Sequence, residues 1–517
     1  MTTFSRCAVA LAMLAVASCG SDRGSSPSGT APQEAAASLT RALGGEPATL
    51  DPQLAEDNAA LALLQELYEG LTAEAADGSI VPGAAESWTV SPDGRTWTFR
   101  LRENLLWSDG EPLVAAQFVA ALDAVRANGS QAPYAALLQD VAGAHAANTR
   151  TITLKLARPM SHLPAVLALP VAAPQRPVSA AGNAVIGNGP YRFLSRAPGE
   201  RIELERNPHY HGASTVTIEH VTYLTLDDLN TELNLYRAGD LDVTSEVPNA
   251  QVTWLQQNLP DELHVSPYLS TYAYAVNLRS LADRDARTAL AMAIDRRQIT
   301  DMVTGAGELP AYSWVPPGIP RFAPARFAWA ELPAGERTKL ARETWTAARK
   351  RGGAPAHLTL CTDASANHRR TAVALADQWR QALGVEVAIV EMEWKAYLVK
   401  REQPAECDLL RFGWSADFVD AAAFLDLFSS GHAQNVAGYS NPAYDSLLES
   451  SRVTPDATQR SAFLAKAEQV LLGDAVVIPV FHRVSKRLVK PGITGDVANP
   501  LGHLATQHLR MSPATKK

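Results

Sequence analysis

The sequence lacks the short motifs that carry chemistry in many enzymes. No glycine-rich loop is followed by Lys and Ser or Thr, and no G-x-G-x-x-G, G-x-S-x-G, H-E-x-x-H or C-x-x-C occurs. The close histidine pair, His209 and His211, lies in a polar Asn-Pro segment, which is typical of a loop rather than a metal site. We therefore expect no metal, no cofactor and no enzymatic activity.

The sequence also lacks an excess of basic residues. Its 46 Lys and Arg are outnumbered by 54 Asp and Glu, which gives a net charge of −8 and argues against a nucleic-acid partner. Hydrophobic residues make up 46% and charged residues 19%, as in soluble globular proteins. At 517 residues the chain exceeds what one hydrophobic core usually serves, so we expect two or three lobes.

Long apolar runs are scarce. Arg6 precedes an apolar stretch over residues 7–17 that is too short to span a bilayer. The stretch overlaps at its end with VASC, residues 16–19, which resembles the lipobox of a lipoprotein signal peptide, so we expect residues 1–19 to be this signal and Cys19 to carry the lipid. An ordinary secretory signal with an incidental cysteine is the alternative. Residues 20–37, rich in Gly, Ser, Ala and Pro, are expected to form a flexible linker.

Cysteine is scarce as well, with four in the chain. Cys361 and Cys407 lie in the short apolar runs TLCTD and ECDLLRF, so we expect both to be buried in strands. We expect them to be two separate structural thiols. A disulfide, which export would permit, is the other arrangement, because the sequence does not show whether the two are neighbours.

Residues 67–122 contain the clearest pattern in the chain. Apolar and polar residues alternate on both sides of a Pro-Asp-Gly turn, which predicts a β-hairpin with one buried aromatic face. The apolar members are Trp88, Val90, Trp97, Phe99 and Leu101. A second turn sequence, SDGEP, ends this sheet, and a helix is predicted to begin near Val114.

This passage, from LYEGL through AAESWTVSPDGRTWTFRLRENLLWSDGEPLVAAQFVAAL, resembles the signature region of the extracytoplasmic peptide-binding proteins of ABC importers, solute-binding protein family 5. The resemblance extends from about residue 38 to about residue 490. It implies a mixed α+β protein with one α/β lobe and a bilobal, type II periplasmic-binding-protein-like fold in its three-domain variant. The lobes would close about a hinge of two crossings, near Ser270 and Pro479. An unrelated fold with an ordinary hairpin is the alternative.

The resemblance also implies three domains, of which the first is discontinuous. These are domain I (38–68, 185–269 and 480–512), domain II (69–184) and domain III (270–479). In domain III the apolar periodicity predicts alternating helices and strands, including a helix near residues 284–303.

The strand LRFGWSAD carries the clearest site signal. It places Asp417 where a strand of the α/β lobe ends, and ligands of such sheets lie at the carboxyl ends of strands. In the resembled family an aspartate in this G-W-x-A-D pattern pairs with the α-ammonium of the ligand, which implies that role for Asp417. A cation removed from water needs a fixed anion as its partner. Alternatively, Asp417 caps the following helix.

Other positions match binding residues of the family. The resemblance implies that Arg411 and His368 receive peptide C-termini of different lengths, and that Glu56 lies at the rim of the pocket. The positions that match the family's cleft are Tyr134, Tyr268, Tyr272, Trp394, Gly413 and Trp414. The alternatives are a surface position for His368 and core positions for the individual aromatic residues.

The sequence departs from the family pattern at two places. In some close relatives cysteines bridge at the positions of Ser270 and Ser415, so we expect looser geometry beside the hinge. Ala273 replaces an aromatic residue, and small residues follow Asp417, which predicts a roomier pocket.

Together these features predict a monomeric lipoprotein of the periplasm or cell envelope that captures oligopeptides and delivers them to an ABC transporter permease. The peptide is expected to bind between the lobes as an added β-strand, with its N-terminus on Asp417. A binder of murein peptides, dipeptides, haem or nickel chelates is the alternative on the same scaffold. A periplasmic peptidase is the alternative of another class.

Overall fold

The computed structural model describes residues 37–176 and 185–512, so the predicted signal peptide, the lipidation site Cys19 and nearly all of the linker lie outside the described residues. The strands are β1 (Ser38–Ala42), β2 (Thr72–Glu74), β3 (Ile80–Pro82), β4 (Ala85–Val90), β5 (Thr96–Leu101), β6 (Val141–Asn148), β7 (Thr151–Leu156), β8 (Tyr191–Ala197), β9 (Arg201–Arg206), β10 (His220–Leu224), β11 (Leu263–Val276), β12 (Leu309–Pro310), β13 (His357–Asp363), β14 (Glu386–Met392), β15 (Leu409–Ser415), β16 (Val477–Leu488), β17 (Ile493–Thr494) and β18 (Arg510–Met511).

The α-helices are α1 (Asn58–Leu67), α2 (Ala115–Arg126), α3 (Leu163–Val166), α4 (Leu229–Ala238), α5 (Val252–Asn258), α6 (Arg284–Met292), α7 (Arg296–Gln298), α8 (Ala334–Lys350), α9 (Ala366–Leu383), α10 (Trp394–Glu402), α11 (Ala422–Leu425), α12 (Pro442–Val453) and α13 (Ala457–Gly473). None of these helices combines the length and the apolar character that crossing a membrane requires.

The strands form three larger sheets and two short pairs. The orders of the larger sheets are β1-β10-β9-β8, β4-β5-β7-β6 and β12-β16-β11-β15-β13-β14. In the third sheet β11 is antiparallel to β15 and β16, whereas β13 is parallel to β14 and β15. The sheet is therefore mixed, and the carboxyl ends of β13 and β15 lie at the same edge.

The predicted hairpin is confirmed as β4 and β5. Trp88 lies opposite Phe99, and the turn places Gly94 at a φ of 68°, which favours glycine. Trp97 and Phe99 are buried, but Val90 is 48% exposed. The buried face is narrower than predicted because β4 is an edge strand with a neighbour on one side only.

The helix predicted near residues 284–303 is broken. The chain forms α6, then α7, and then a π-helical turn, because Asp295 caps a new helix by accepting a hydrogen bond from the backbone N–H of Gln298 at 3.1 Å. The next residue, Arg296, is fully buried and donates to the carbonyl oxygen of Ala311 at 2.6 Å. These two side chains fix a bend that the apolar pattern does not reveal.

Separate hydrophobic clusters underlie the sheets. The largest lies within residues 269–501 and surrounds the six-stranded sheet. A second lies within residues 71–172 and also includes Phe418. A third joins residues near the start of the described chain to residues 191–223 and to the C-terminal segment. The chain thus has several cores, as its length predicts.

Cys361 and Cys407 form a disulfide, with their Cα atoms 5.8 Å apart. The expectation of two separate thiols was wrong. Cys361 in β13 lies opposite Leu410 in β15, three residues after Cys407, so the parallel pairing of these strands brings the sulfur atoms together. Both cysteines are 1% exposed, as predicted, but only Cys361 lies in a strand, since Cys407 precedes the start of β15 by two residues.

Candidate ligand-binding site

Asp417 lies two residues beyond the end of β15 and is partly buried. Burial raises the pKa of its carboxyl group to about 6, because removal from water disfavours the ionised form. No hydrogen bond or ion pair from a residue that the structure describes opposes this effect. Asp417 is therefore a desolvated acid that lacks a cation, and the alternative role as a helix cap receives no support.

Two residues from distant parts of the chain share the surroundings of Asp417. Burial raises the pKa of Tyr134 to about 12, and the negative charges of Asp417 and Glu56 contribute to the rise. Tyr134 is partly buried just before a turn of 3₁₀-helix, and Glu56 is exposed two residues before α1. The structure thus brings together three residues that the sequence predicted for one site.

Phe418 carries the segment after Asp417 into the second hydrophobic cluster. Its ring stacks on His162 with a centroid distance of 4.9 Å and an interplanar angle of 6°. Two residues later, Asp420 accepts a hydrogen bond from Arg460 at 2.8 Å. Asp417 therefore lies where the α/β region meets the region of residues 71–172.

A second polar group, formed by Asp363, Arg411 and His368, lies at the end of β13. The Nε and Nη2 atoms of Arg411 are both 2.9 Å from Oδ1 of Asp363, and Nδ1 of His368 is 2.9 Å from the same oxygen. Burial and the nearby charge of Arg411 lower the pKa of His368, which favours the neutral form of its ring. The predicted pair Arg411 and His368 is thus brought together by a carboxylate.

Aromatic side chains surround this group. The guanidinium carbon of Arg411 is 5.4 Å from the ring centroid of Trp394 and 5.5 Å from that of Tyr397. Trp394 is 46% exposed, so it presents a face to solvent. Tyr272 is 1% exposed and packs beneath His368 at a centroid distance of 5.4 Å. Tyr272 therefore packs in the buried layer next to His368, and its ring is not exposed to a ligand.

The strand pairing between β11 and β15 explains why residue 413 is glycine. A Cβ atom at Gly413 would lie 2.9 Å from the carbonyl oxygen of Thr271, which is too close for any other side chain without a shift. Beside it, Ser415 donates a hydrogen bond to Ser270 at 2.9 Å, so the two serines hold their register without a bridge. Ala273 is fully buried, so its small side chain does not enlarge an open pocket.

Two other predicted residues, Tyr268 and Trp414, have neighbours outside these groups. Tyr268 packs near Gly502, whose added Cβ would lie 3.5 Å from its ring. Trp414 follows Gly413 in β15 and therefore points to the opposite face of the sheet, where it packs against the largest cluster. Its indole Nε1 is buried and has no partner among the described residues.

Sequence reasoning missed Asp363, Tyr397 and Phe418. A signal for Asp363 was present, because it ends the strand TLCTD just as Asp417 follows the strand of its own motif. The same rule about the carboxyl ends of strands would have placed both acids at one edge of the sheet. Tyr397 and Phe418 gave no signal, since each is an ordinary aromatic residue beside an apolar segment.

Comparisons with known proteins agree with this architecture. Residues 79–435 match the model of the bacterial extracellular solute-binding proteins, family 5. The periplasmic oligopeptide-binding protein OppA of Salmonella typhimurium is 34% identical over 91% of this chain and 92% of its own length.

Two solved structures have the same bilobal fold. One is the murein tripeptide binding protein MppA in its unliganded open form, with a TM-score of 0.82, 30% identity and coverage of 92% of this chain and 97% of that one. The other is Haemophilus influenzae OppA in complex with the peptide RPPGFSPFR, with a TM-score of 0.75, 30% identity and coverage of 92% and 99%. The chain therefore belongs to the bacterial extracellular solute-binding proteins of family 5, and its fold is mixed α+β and bilobal.

Proposed function

We propose that this protein captures oligopeptides outside the cytoplasm and delivers them to the permease of an ABC transporter. One observation carries the proposal, namely the partly buried carboxylate of Asp417, which has a raised pKa and no partner. The ammonium group at the N-terminus of a peptide supplies the missing cation. The names of the relatives, which include OppA of Salmonella typhimurium, support the same ligand class.

The lobes close over the peptide about a hinge in β11 and β16. These strands have 14 and 12 residues, pair with each other, and pass through Ser270 and Pro479. The separate clusters within residues 71–172 and 269–501 support the division into domain I (38–68, 185–269 and 480–512), domain II (69–184) and domain III (270–479). Closure is a population shift that the ligand drives, because the ligand binds the closed form more tightly than the open one.

The protein works as a monomer in the periplasm, held to a membrane by a lipid on Cys19. This part of the proposal rests on the sequence VASC after the short apolar run. The protein catalyses no reaction on the peptide, since the family consists of solute-binding proteins. Peptides incubated with it should be recovered whole.

Native mass spectrometry of the purified protein tests the ligand class. We expect the protein to carry short peptides that are released on unfolding, and the Asp417→Ala variant to carry fewer. In titration with such a peptide the variant should bind at least about tenfold more weakly, a loss of about 1.4 kcal/mol, with its fold intact. A wild-type protein that carries and binds no peptide would contradict the proposal.

A murein tripeptide is the second candidate ligand. The similarity to MppA, whose name states that ligand, is the observation that favours it. The mass spectrum separates the candidates, because murein peptides have a few fixed compositions that include diaminopimelate or lysine, whereas nutritional peptides give a broad distribution of masses.

A further inference from the structure

Arg411, the residue predicted to receive a ligand carboxylate, is already paired with a carboxylate of the protein, that of Asp363. Its Nε and Nη2 atoms both lie 2.9 Å from Asp363, and the residue is 9% exposed. His368 shares the same carboxylate, and burial and the charge of Arg411 lower its pKa, which favours its neutral form. The positive charge of Arg411 is therefore balanced by Asp363, and this group offers a second carboxylate no net charge.

Arg483 in β16 is a different case. It is exposed, and it makes no hydrogen bond or ion pair with any residue in the described ranges 37–176 and 185–512. An exposed arginine is usually just solvated, so its orientation decides whether it matters here.

The neighbours of Arg483 fix that orientation. His482 is 4% exposed, and its ring nitrogens lie 2.9 Å from the Thr271 hydroxyl and 3.2 Å from the Ser313 hydroxyl. The side chain of His482 therefore points to the same face of the sheet as that of Thr271. Because side chains alternate along a strand, Arg483 points to the other face, the one that carries Phe481. Phe481 stacks on Tyr272 with a centroid distance of 4.6 Å.

Tyr272 connects this face to the predicted carboxylate site. The centroid of the Tyr272 ring is 5.4 Å from that of the His368 ring. In the sheet Tyr272 lies opposite Gly413, which is in the same strand, β15, as Arg411. The charge of Arg483 also contributes, after burial and Arg411, to the lowered pKa of His368. The unpaired guanidinium of Arg483 therefore lies beside the group of Asp363, Arg411 and His368.

We propose that Arg483 is the specificity-determining cation of this site and forms the ion pair with the C-terminal carboxylate of a bound peptide. The inference rests on the proposed capture of peptides and adds a preference for ligands that carry a carboxylate at this end. A guanidinium and a carboxylate can form two parallel hydrogen bonds, which gives the pair directional selectivity.

The test compares two probes, a mixture of random tri- to pentapeptides with free C-termini and the same mixture with amidated C-termini. Retention of each on the full-length protein is measured by native mass spectrometry and by competition titration. The variants are Arg483→Gln, Arg483→Lys and, as a control with the same loss of charge, Arg297→Gln, since Arg297 is exposed and lies in α7. Wild type and Arg297→Gln should prefer the free acids at least about tenfold, which corresponds to about 1.4 kcal/mol.

Arg483→Gln should reduce this preference to less than about threefold while it still binds the amidated peptides, and Arg483→Lys should restore part of it. An unchanged preference in Arg483→Gln, or equal weakening for acids and amides, would overturn the role of Arg483 and leave peptide capture intact. Failure of wild type to retain either mixture would instead overturn the proposed function itself.

Discussion

Asp363 and Asp417 lie at the carboxyl ends of neighbouring strands, yet their electrostatic situations are opposite. Burial alone would raise the pKa of Asp363, but the charge of Arg411 and the contact with His368 outweigh burial and lower it. Burial raises the pKa of Asp417 to about 6, and no partner compensates. Asp363 is thus paired within the protein, whereas Asp417 has no partner among the described residues.

The difference supports the proposal that Asp363 serves the fold and that Asp417 serves ligand binding. A paired carboxylate stabilises the protein that contains it, whereas an unpaired buried one costs stability and is retained for another reason. Substitution of the two acids should therefore change stability in opposite directions.

The largest effect is expected for Asp363→Asn. The change leaves the guanidinium of Arg411 buried without a carboxylate, which should lower the free energy of unfolding by about 2–4 kcal/mol. Urea denaturation followed by circular dichroism measures it. The same variant should bind peptides with free C-termini more tightly, because the charge of Arg411 becomes available. Unchanged stability would show that Asp363 is not the partner that Arg411 requires.

Asp417→Asn should instead stabilise the ligand-free protein, by about 1–3 kcal/mol at pH 7. The folded-state pKa of about 6 exceeds the ordinary value of 3.8, so the folded state loses stability as pH rises between these values. The additional stability of Asp417→Asn over wild type should therefore be complete above pH 6 and absent below about pH 4. Denaturation at pH 4 and pH 7 provides the measurement. A destabilised variant at pH 7 would mean that Asp417 has a structural partner.

The third prediction concerns the pH dependence of binding. Because a ligand cation requires the ionised form of Asp417, affinity should fall about tenfold between pH 7 and pH 5 for a group with a pKa of about 6. Calorimetric titration across this range gives the dissociation constants. Asp417→Asn serves as the control and should bind weakly but with a nearly flat profile. A flat profile for wild type would remove Asp417 from the ion pair.

The sequence predicted those parts of the molecule that depend on local pattern. Alternation gave the hairpin of Trp88 and Phe99, and the motif ending at Asp417 gave the acid that lacks a partner. Features that depend on which strands are neighbours were not predictable. The disulfide between Cys361 and Cys407 follows from the pairing of β13 with β15, and periodicity does not specify sheet order.

The same limit applies to the second polar group. The resemblance predicts Arg411 and His368, but the sequence does not reveal that one carboxylate, that of Asp363, neutralises Arg411 and accepts a hydrogen bond from His368. The broken helix near residue 295 has a related cause, since the buried Arg296 bonds to carbonyl oxygens far along the chain. In both cases a tertiary contact outweighs a local preference.

The most direct test of the role of Asp417 is a comparison of one bound peptide with its N-acetylated form, titrated into wild type and into Asp417→Asn. Acetylation removes the positive charge and leaves the rest of the peptide unchanged. Wild type should bind the free peptide at least about tenfold more tightly than the acetylated one, and Asp417→Asn should distinguish the two by less than about twofold. The same discrimination in both proteins would contradict the pairing of Asp417 with the ligand's amino end.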